Sequence, residues 1–104
     1  MITVIALMQL PASTTLAAAK QLFESTAPRY RDAPGLIRKY YIFDPQTTIG
    51  GGCYLLQDRQ AAELMFGDTW RSFVTSKYGV EPTVSMYESP VVVDNVIGEI
   101  QVQA

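Results

Sequence analysis

Three stretches of the chain carry apolar residues at successive positions instead of strictly alternating ones, and each predicts a strand. Thr3 to Leu10 is β-branched and apolar on both parities, with Pro11 closing it. The run PGLIRKYYIFDPQTTIGGGCYLL, Pro34 to Leu56, predicts two more. They are Leu36 to Phe43 and about Gly51 to Gln57, joined by Asp44-Pro45-Gln46-Thr47-Thr48. In the first of these two, Leu36, Tyr40 and Ile42 point to one side with Arg38, while Ile37, Tyr41 and Phe43 point to the other with Lys39. Neither face reads as solvated, and two helical regions can cover only one of them. The second face calls for a partner chain.

Helical spacing appears in two regions. Ser13, Thr14 and Thr15 offer N-caps for a helix through Leu16 to Glu24, with Leu16, Ala19, Phe23 and Tyr30 as its buried stripe, and Pro28 is expected to interrupt it or begin a short extra turn. Asp58 caps a second region, Arg59 to Phe66, which Gly67 interrupts. Asp68 is expected to cap Thr69 to Lys77, which Gly79 ends. Within that last piece Trp70, Phe73 and Val74 share one side. Pro82 to Tyr87 is a fourth strand, SPVVVDN continues as an extended arm, and Val96 to Val102 forms a fifth short strand. Gly50, Gly51 and Gly52 precede a strand and not a helix, so they read as a bulge or a close backbone approach and not as a phosphate cradle.

The order β-α-β-β-α-β plus an arm is ferredoxin-like, an α+β fold with a four-stranded antiparallel sheet and helices on one face. All 104 residues make one domain, with the arm from about 90 to 104. The apolar second face would meet its counterpart in a second copy, giving a dimeric α/β barrel whose arm adds to the partner's sheet.

Composition narrows the chemistry. The eight Lys and Arg do not cluster, and the net charge is −2, so nucleic acid is not an expected partner. MITVIALMQL lacks a basic segment and is too short for a signal peptide or membrane span, and the single cysteine suits a reducing compartment, so a cytoplasmic protein is expected. The chain has no histidine, which removes the commonest general base near neutral pH and the commonest zinc ligand. Any chemistry is therefore expected from Tyr, Trp, Asp, Glu, Arg, Lys, Cys or the substrate itself.

Several segments together resemble the YdhR-like branch of the dimeric α/β-barrel superfamily, related to antibiotic-biosynthesis monooxygenases. They are PGLIRKYYIFD, GGGCYLLQDRQAAELMF, WRSFVTSKYGVEP and SPVVVDN, and the likeness covers about Thr3 to Asn95. The resemblance implies a homodimer of ferredoxin-like subunits, each with a pocket between helices and sheet. It also implies oxidation of a phenol, quinol or anthrone-like compound by dioxygen without metal, flavin or haem. Such oxygenases use an Asn and a Trp on the second helical region, where this chain has Asp68 and Trp70. Haem-degrading members need a histidine that this chain lacks.

Trp70 either stacks on a flat substrate or is a core residue. Tyr40 and Tyr54, on adjacent strands, either face one pocket with their hydroxyls toward a substrate oxygen or bond backbone carbonyls, and Tyr87 has the same two readings. Arg38 either stabilises a phenolate or pairs with a carboxylate. The candidate set is therefore Trp70, Tyr40 and Arg38 as catalytic residues, with Tyr54, Phe66, Phe73 and Tyr87 binding substrate. Arg71 is expected at the surface or an interface, and Cys53 reads as an inert thiol. The base is a tyrosinate or water. Rival readings are a dimer that binds a hydrophobic metabolite without turnover, or an isomerase or cyclase using a tyrosine or carboxylate.

Overall fold

The strand pattern resolves into a sheet whose two faces are built from different side chains. The computed structural model describes residues 1–103. Its elements are β1 (Ile2–Gln9), α1 (Leu16–Tyr30), β2 (Leu36–Phe43), β3 (Ile49–Leu56), α2 (Arg59–Met65), α3 (Asp68–Tyr78), β4 (Thr83–Glu88), β5 (Val91–Asp94) and β6 (Glu99–Val102). The first four strands form one antiparallel sheet in the order β2-β3-β1-β4. That is the ferredoxin-like arrangement expected from the sequence.

Alternate residues of β1, Ile2, Val4, Ala6 and Met8, are buried under the helices, together with Tyr54 and Leu56 of β3. Ala62 of α2 and Trp70 and Val74 of α3 close this layer from above, with Phe66 between the two helices. Trp70 is only 4% exposed. The opposite face carries Ile5 and Leu7 of β1, Arg38, Tyr40 and Ile42 of β2, Cys53 of β3 and Tyr87 of β4. No helix covers it. A register shift between Leu36 and Arg38 breaks the parity of β2, so Ile37 is exposed and does not join Tyr41 and Phe43 under the helices.

Local signals explain most boundaries. The Thr15 hydroxyl accepts from the Ala18 amide at 3.1 Å, and the Asp58 carboxylate accepts from the Ala61 amide at 2.8 Å. Pro28 does not interrupt α1, which runs on to Tyr30. At α3 the cap is Gly67 and not Asp68, which instead begins the helix and sets a negative charge in its first turn. Gly79 ends α3 at φ 77°, a left-handed conformation that a side chain disfavours.

Two further expectations change. Leu16 is 62% exposed and stands outside the buried stripe. The C-terminal arm does not run free: β5 and β6 pair with each other as a hairpin, turning at Gly98. The Ser89 amide donates to the Met1 carbonyl at 2.8 Å, which ties the chain before the hairpin to the start of β1, and the Gln103 amide donates to the Pro90 carbonyl at 2.8 Å, closing the open end of the hairpin.

Candidate functional site

Under the helices, β2 places Lys39 and Tyr41 on the same face as Tyr54 of β3, because Lys39 and Tyr54 are partners in the β2–β3 register. Tyr30 from the last turn of α1 completes a ring cage. The Lys39 Nζ lies 3.4 Å from the centre of the Tyr30 ring, 3.8 Å from that of Tyr41 and 4.5 Å from that of Tyr54. Gly52 makes the room: a Cβ there would come within 2.9 Å of the Lys39 Cε and 2.8 Å of the Tyr54 ring. A residue with a side chain at 52 would push the lysine out of its cage.

Trp70 closes the cage on the α3 side, its Nε1–H donating to the Tyr30 hydroxyl at 3.0 Å. Phe66 stands edge-on to both Tyr54 and Trp70, with ring centres 4.7 Å apart in each pair. Tyr41 stacks on Phe23 at 4.8 Å and shares a hydrogen bond with the Thr26 hydroxyl at 2.8 Å. Phe73 also lines the enclosed space and carries the Arg29 guanidinium over its outer side at 3.8 Å. The enclosed cavity itself is about 10 Å³, room for about one water.

Electrostatics follow from burial. Desolvation pushes Lys39 down from the ordinary lysine value to about 6. The three ring faces act in the opposite direction, since they attract the ammonium form. Desolvation likewise pushes Tyr41 up to about 12 and raises Tyr54 and Tyr78 above the ordinary tyrosine value. Burial thus favours the protonated form of these three phenols more than water does.

Beside the cage an apolar groove of about 410 Å³ opens between α1 and β2. Leu16, Phe23, Ala27, Tyr41 and Phe43 line it, with Lys20 and Glu24 at the rim. The exposure of Leu16 is thereby explained: it forms the groove's lip. Phe23 and Tyr41 wall both the groove and the inner cavity, so the Phe23–Tyr41 stack is the partition between them.

The remaining sequence candidates lie on the other face. Tyr40 pairs with Cys53 in the register and is 56% exposed, so Tyr40 and Tyr54 do not share a pocket. Tyr87 is also 56% exposed and pairs with Thr3. Arg38 donates to Asp94 of the hairpin at 2.7 Å and to the Tyr40 hydroxyl at 3.4 Å. Hydrogen bonding to Arg38, aided by the Val96 and Ile97 amides, holds the Asp94 carboxyl below its usual range. A second hollow, about 520 Å³, lies between this face and β5, lined by Thr3, Arg38, Tyr40, Leu55, Val93 and Asp94 among others. Its only guanidinium is already committed to Asp94. Arg71, expected at the surface, donates to the Pro82 carbonyl at 3.1 Å and ties α3 to the start of β4.

The structure thus brings together Trp70, Tyr54, Phe66 and Phe73 and separates them from Arg38, Tyr40 and Tyr87. Sequence reasoning missed Lys39, Tyr30, Tyr41 and Tyr78. For Lys39 a signal existed: it alternates with Tyr41 and Phe43 on the face that packs under the helices.

The fold is shared with several solved structures. One is a mutant of SnoaB from Streptomyces nogalater, a cofactor-independent oxygenase, at TM-score 0.62 and 12% identity over 85% of this chain and 91% of that one. The chain has the fold of the antibiotic-biosynthesis monooxygenases. A monooxygenase from the gene ActVA-Orf6 of Streptomyces coelicolor, in complex with nanaomycin D, aligns at TM-score 0.64 and 16% identity, covering 85% of this chain and 86% of that one. A protein from Deinococcus radiodurans given the provisional description of antibiotic biosynthesis monooxygenase aligns at TM-score 0.66 and 14% identity, over 90% of this chain and 97% of that one. No family model and no curated protein matches the sequence. At these identities the likeness is one of fold. Among the described residues no helix is long and apolar enough to cross a membrane, and no cluster of three or more Cys, Asp or Glu is placed to hold a metal ion.

Proposed function

We propose that the chain is a cofactor-independent monooxygenase that acts on a small, flat phenol, quinol or anthrone in the space between α1 and the sheet. The observation that carries this reading is the apolar groove beside a closed aromatic cage, on a fold shared with oxygenases. Its volume of about 410 Å³ is within the ~300–1,000 Å³ of ordinary small-molecule sites. Phe23 and Tyr41, stacked on each other, form an aromatic wall of that groove.

The reaction needs little from the protein beyond proton removal, orientation and exclusion of water. For an anthrone, loss of a proton leaves a carbanion that passes one electron to dioxygen. The resulting pair recombines as a carbon-bound peroxide, and loss of water leaves a new carbonyl. One oxygen atom stays in the product and the other leaves as water. Trp70 shapes the inner end of the site and holds Tyr30 through the Nε1 hydrogen bond.

The open sheet face has a separate role in this reading. Tyr40, Ile42 and Tyr87 are exposed there, and Val91, Val93 and Val96 are exposed on the adjoining hairpin. A patch of this kind is covered by a second copy of the chain, which makes the protein a homodimer through its sheet face and C-terminal hairpin.

Oxygen uptake by metal-stripped protein tests the activity over a panel of anthrones, hydroquinones and naphthols. Uptake above autoxidation is expected, falling at least about tenfold in Trp70→Phe and little in Tyr87→Phe. Uptake no faster than in buffer for every compound would sink the oxygenase reading.

A further inference from the structure

We propose that Thr26 is the positioning residue of this site: by tying Tyr41 to α1 it fixes the width of the groove, and so makes the groove select flat ligands over puckered ones. The inference rests on the helix-side site proposed above and deepens it by naming the residue behind its shape selection. Thr26 lines the enclosed space and not the groove, so it acts on a ligand only through Tyr41.

Thr26 stands inside α1 at 5% exposure, the one buried polar side chain of that helix. A β-branched hydroxyl residue is a poor helix former, and a buried hydroxyl is costly unless it is bonded. Here the hydroxyl is used twice. It donates to the Phe23 carbonyl one turn back at 3.2 Å, which aims the oxygen, and it shares the 2.8 Å hydrogen bond with the Tyr41 hydroxyl. Among the described residues this is the only hydrogen bond between α1 and β2.

That bond joins the two walls of the groove. Leu16, Phe23 and Ala27 stand on α1, and Tyr41 and Phe43 stand on β2. The strand β2 is an edge strand paired only with β3, so no outer neighbour holds it against the helix. Tyr41 is tied to Phe23 in two ways, ring on ring at 4.8 Å and through Thr26 to the Phe23 carbonyl. A planar ring system keeps the same small thickness along its length. A puckered ring is thicker and must push Tyr41 away from α1, at the expense of the hydrogen bond.

The test compares 2-naphthol with its tetrahydro derivative, in which the ring without the hydroxyl is saturated and puckered, by titration calorimetry. Wild-type protein is expected to prefer the flat probe, and Thr26→Val and Tyr41→Phe each to reduce that preference about fivefold, the worth of one neutral hydrogen bond. The double variant is expected to lose no more than either single one, because one bond can be lost only once. Thr26→Ser keeps the hydroxyl and is expected to keep the preference. A change that merely loosened the fold would weaken both probes together and leave the preference where it was. A wild type without the preference, a preference unchanged in Thr26→Val or in Tyr41→Phe, or one lost in Thr26→Ser, would overturn Thr26 as the positioning residue while leaving the groove as the site. Additive losses in the double variant would overturn it as well. Each of Thr26→Val and Tyr41→Phe breaks the same bond from one end, so either alone decides if the other does not fold. Failure of the wild type to bind either probe would overturn the helix-side site, and this inference with it.

Discussion

Lys39 carries a consequence for stability. Its amine is protonated in the unfolded chain up to the ordinary lysine value of 10.5, but in the folded chain only up to about 6. Between those values the native state binds fewer protons than the unfolded state, so stability rises with pH across the window and is lost as pH falls toward 6. The slope from this one group is at most about 1.4 kcal/mol per pH unit, reduced by the attraction of the three rings for the charged form. Urea unfolding at several pH values from 6 to 9 is expected to show that slope in the wild type and to lose it in Lys39→Met. The variant should also be the more stable protein at pH 7. A wild-type stability that is flat over this range would show that the amine is charged in its cage. The sequence marked Lys39 only by its parity. Its neighbours Tyr30 and Tyr54 come from other elements, and the ring cage becomes visible only once α1 is laid across β2 and β3. Tyr40 and Tyr54 failed as a pair for a related reason, since the register sets Lys39, and not Tyr40, opposite Tyr54.

Among the elements, the expected order along the chain stands in the structure, and so do the Thr15 and Asp58 caps and the stop at Gly79, which depend on residues within one turn of the boundary. Features that depend on distant backbone were not legible: the register shift at Arg38, the self-paired hairpin, and the division of labour among the three glycines. Gly51 is the tightest of the three. A Cβ there would lie 1.8 Å from the Ala6 carbonyl oxygen, a backbone atom in a paired strand that cannot step aside. At Gly50 the nearest atom is the end of the Leu10 side chain at 3.2 Å. Gly51→Ala is therefore expected to cost about 3 kcal/mol or more, and Gly50→Ala about 1 kcal/mol. Equal losses in denaturant titrations would mean that β1 and β3 do not approach as closely at Gly51 as the register requires. The hairpin has its own anchor in the Arg38–Asp94 pair, and Asp94→Ala should speed amide exchange in β5 and β6 without slowing oxygen uptake.

At the scale of the whole molecule the sheet divides two tasks. Its helix side holds the cage and groove, and its open side holds the apolar residues Tyr40, Ile42 and Tyr87. A charge placed in the middle of the open face should block association of two copies without touching the cage. Light scattering at micromolar concentration is expected to give a dimer for the wild type and a monomer for Ile42→Glu. A monomeric wild type would leave the open face without the partner assigned to it. The central claim is that the ligand sits on the helix side, and the most direct measurement of it is NMR of the aromatic rings during titration with 2-naphthol. The account predicts shifts at the Phe23 and Tyr41 rings, with Tyr40 and Tyr87 unmoved. Shifts confined to Tyr40 and Tyr87 would place the ligand on the open face and contradict it.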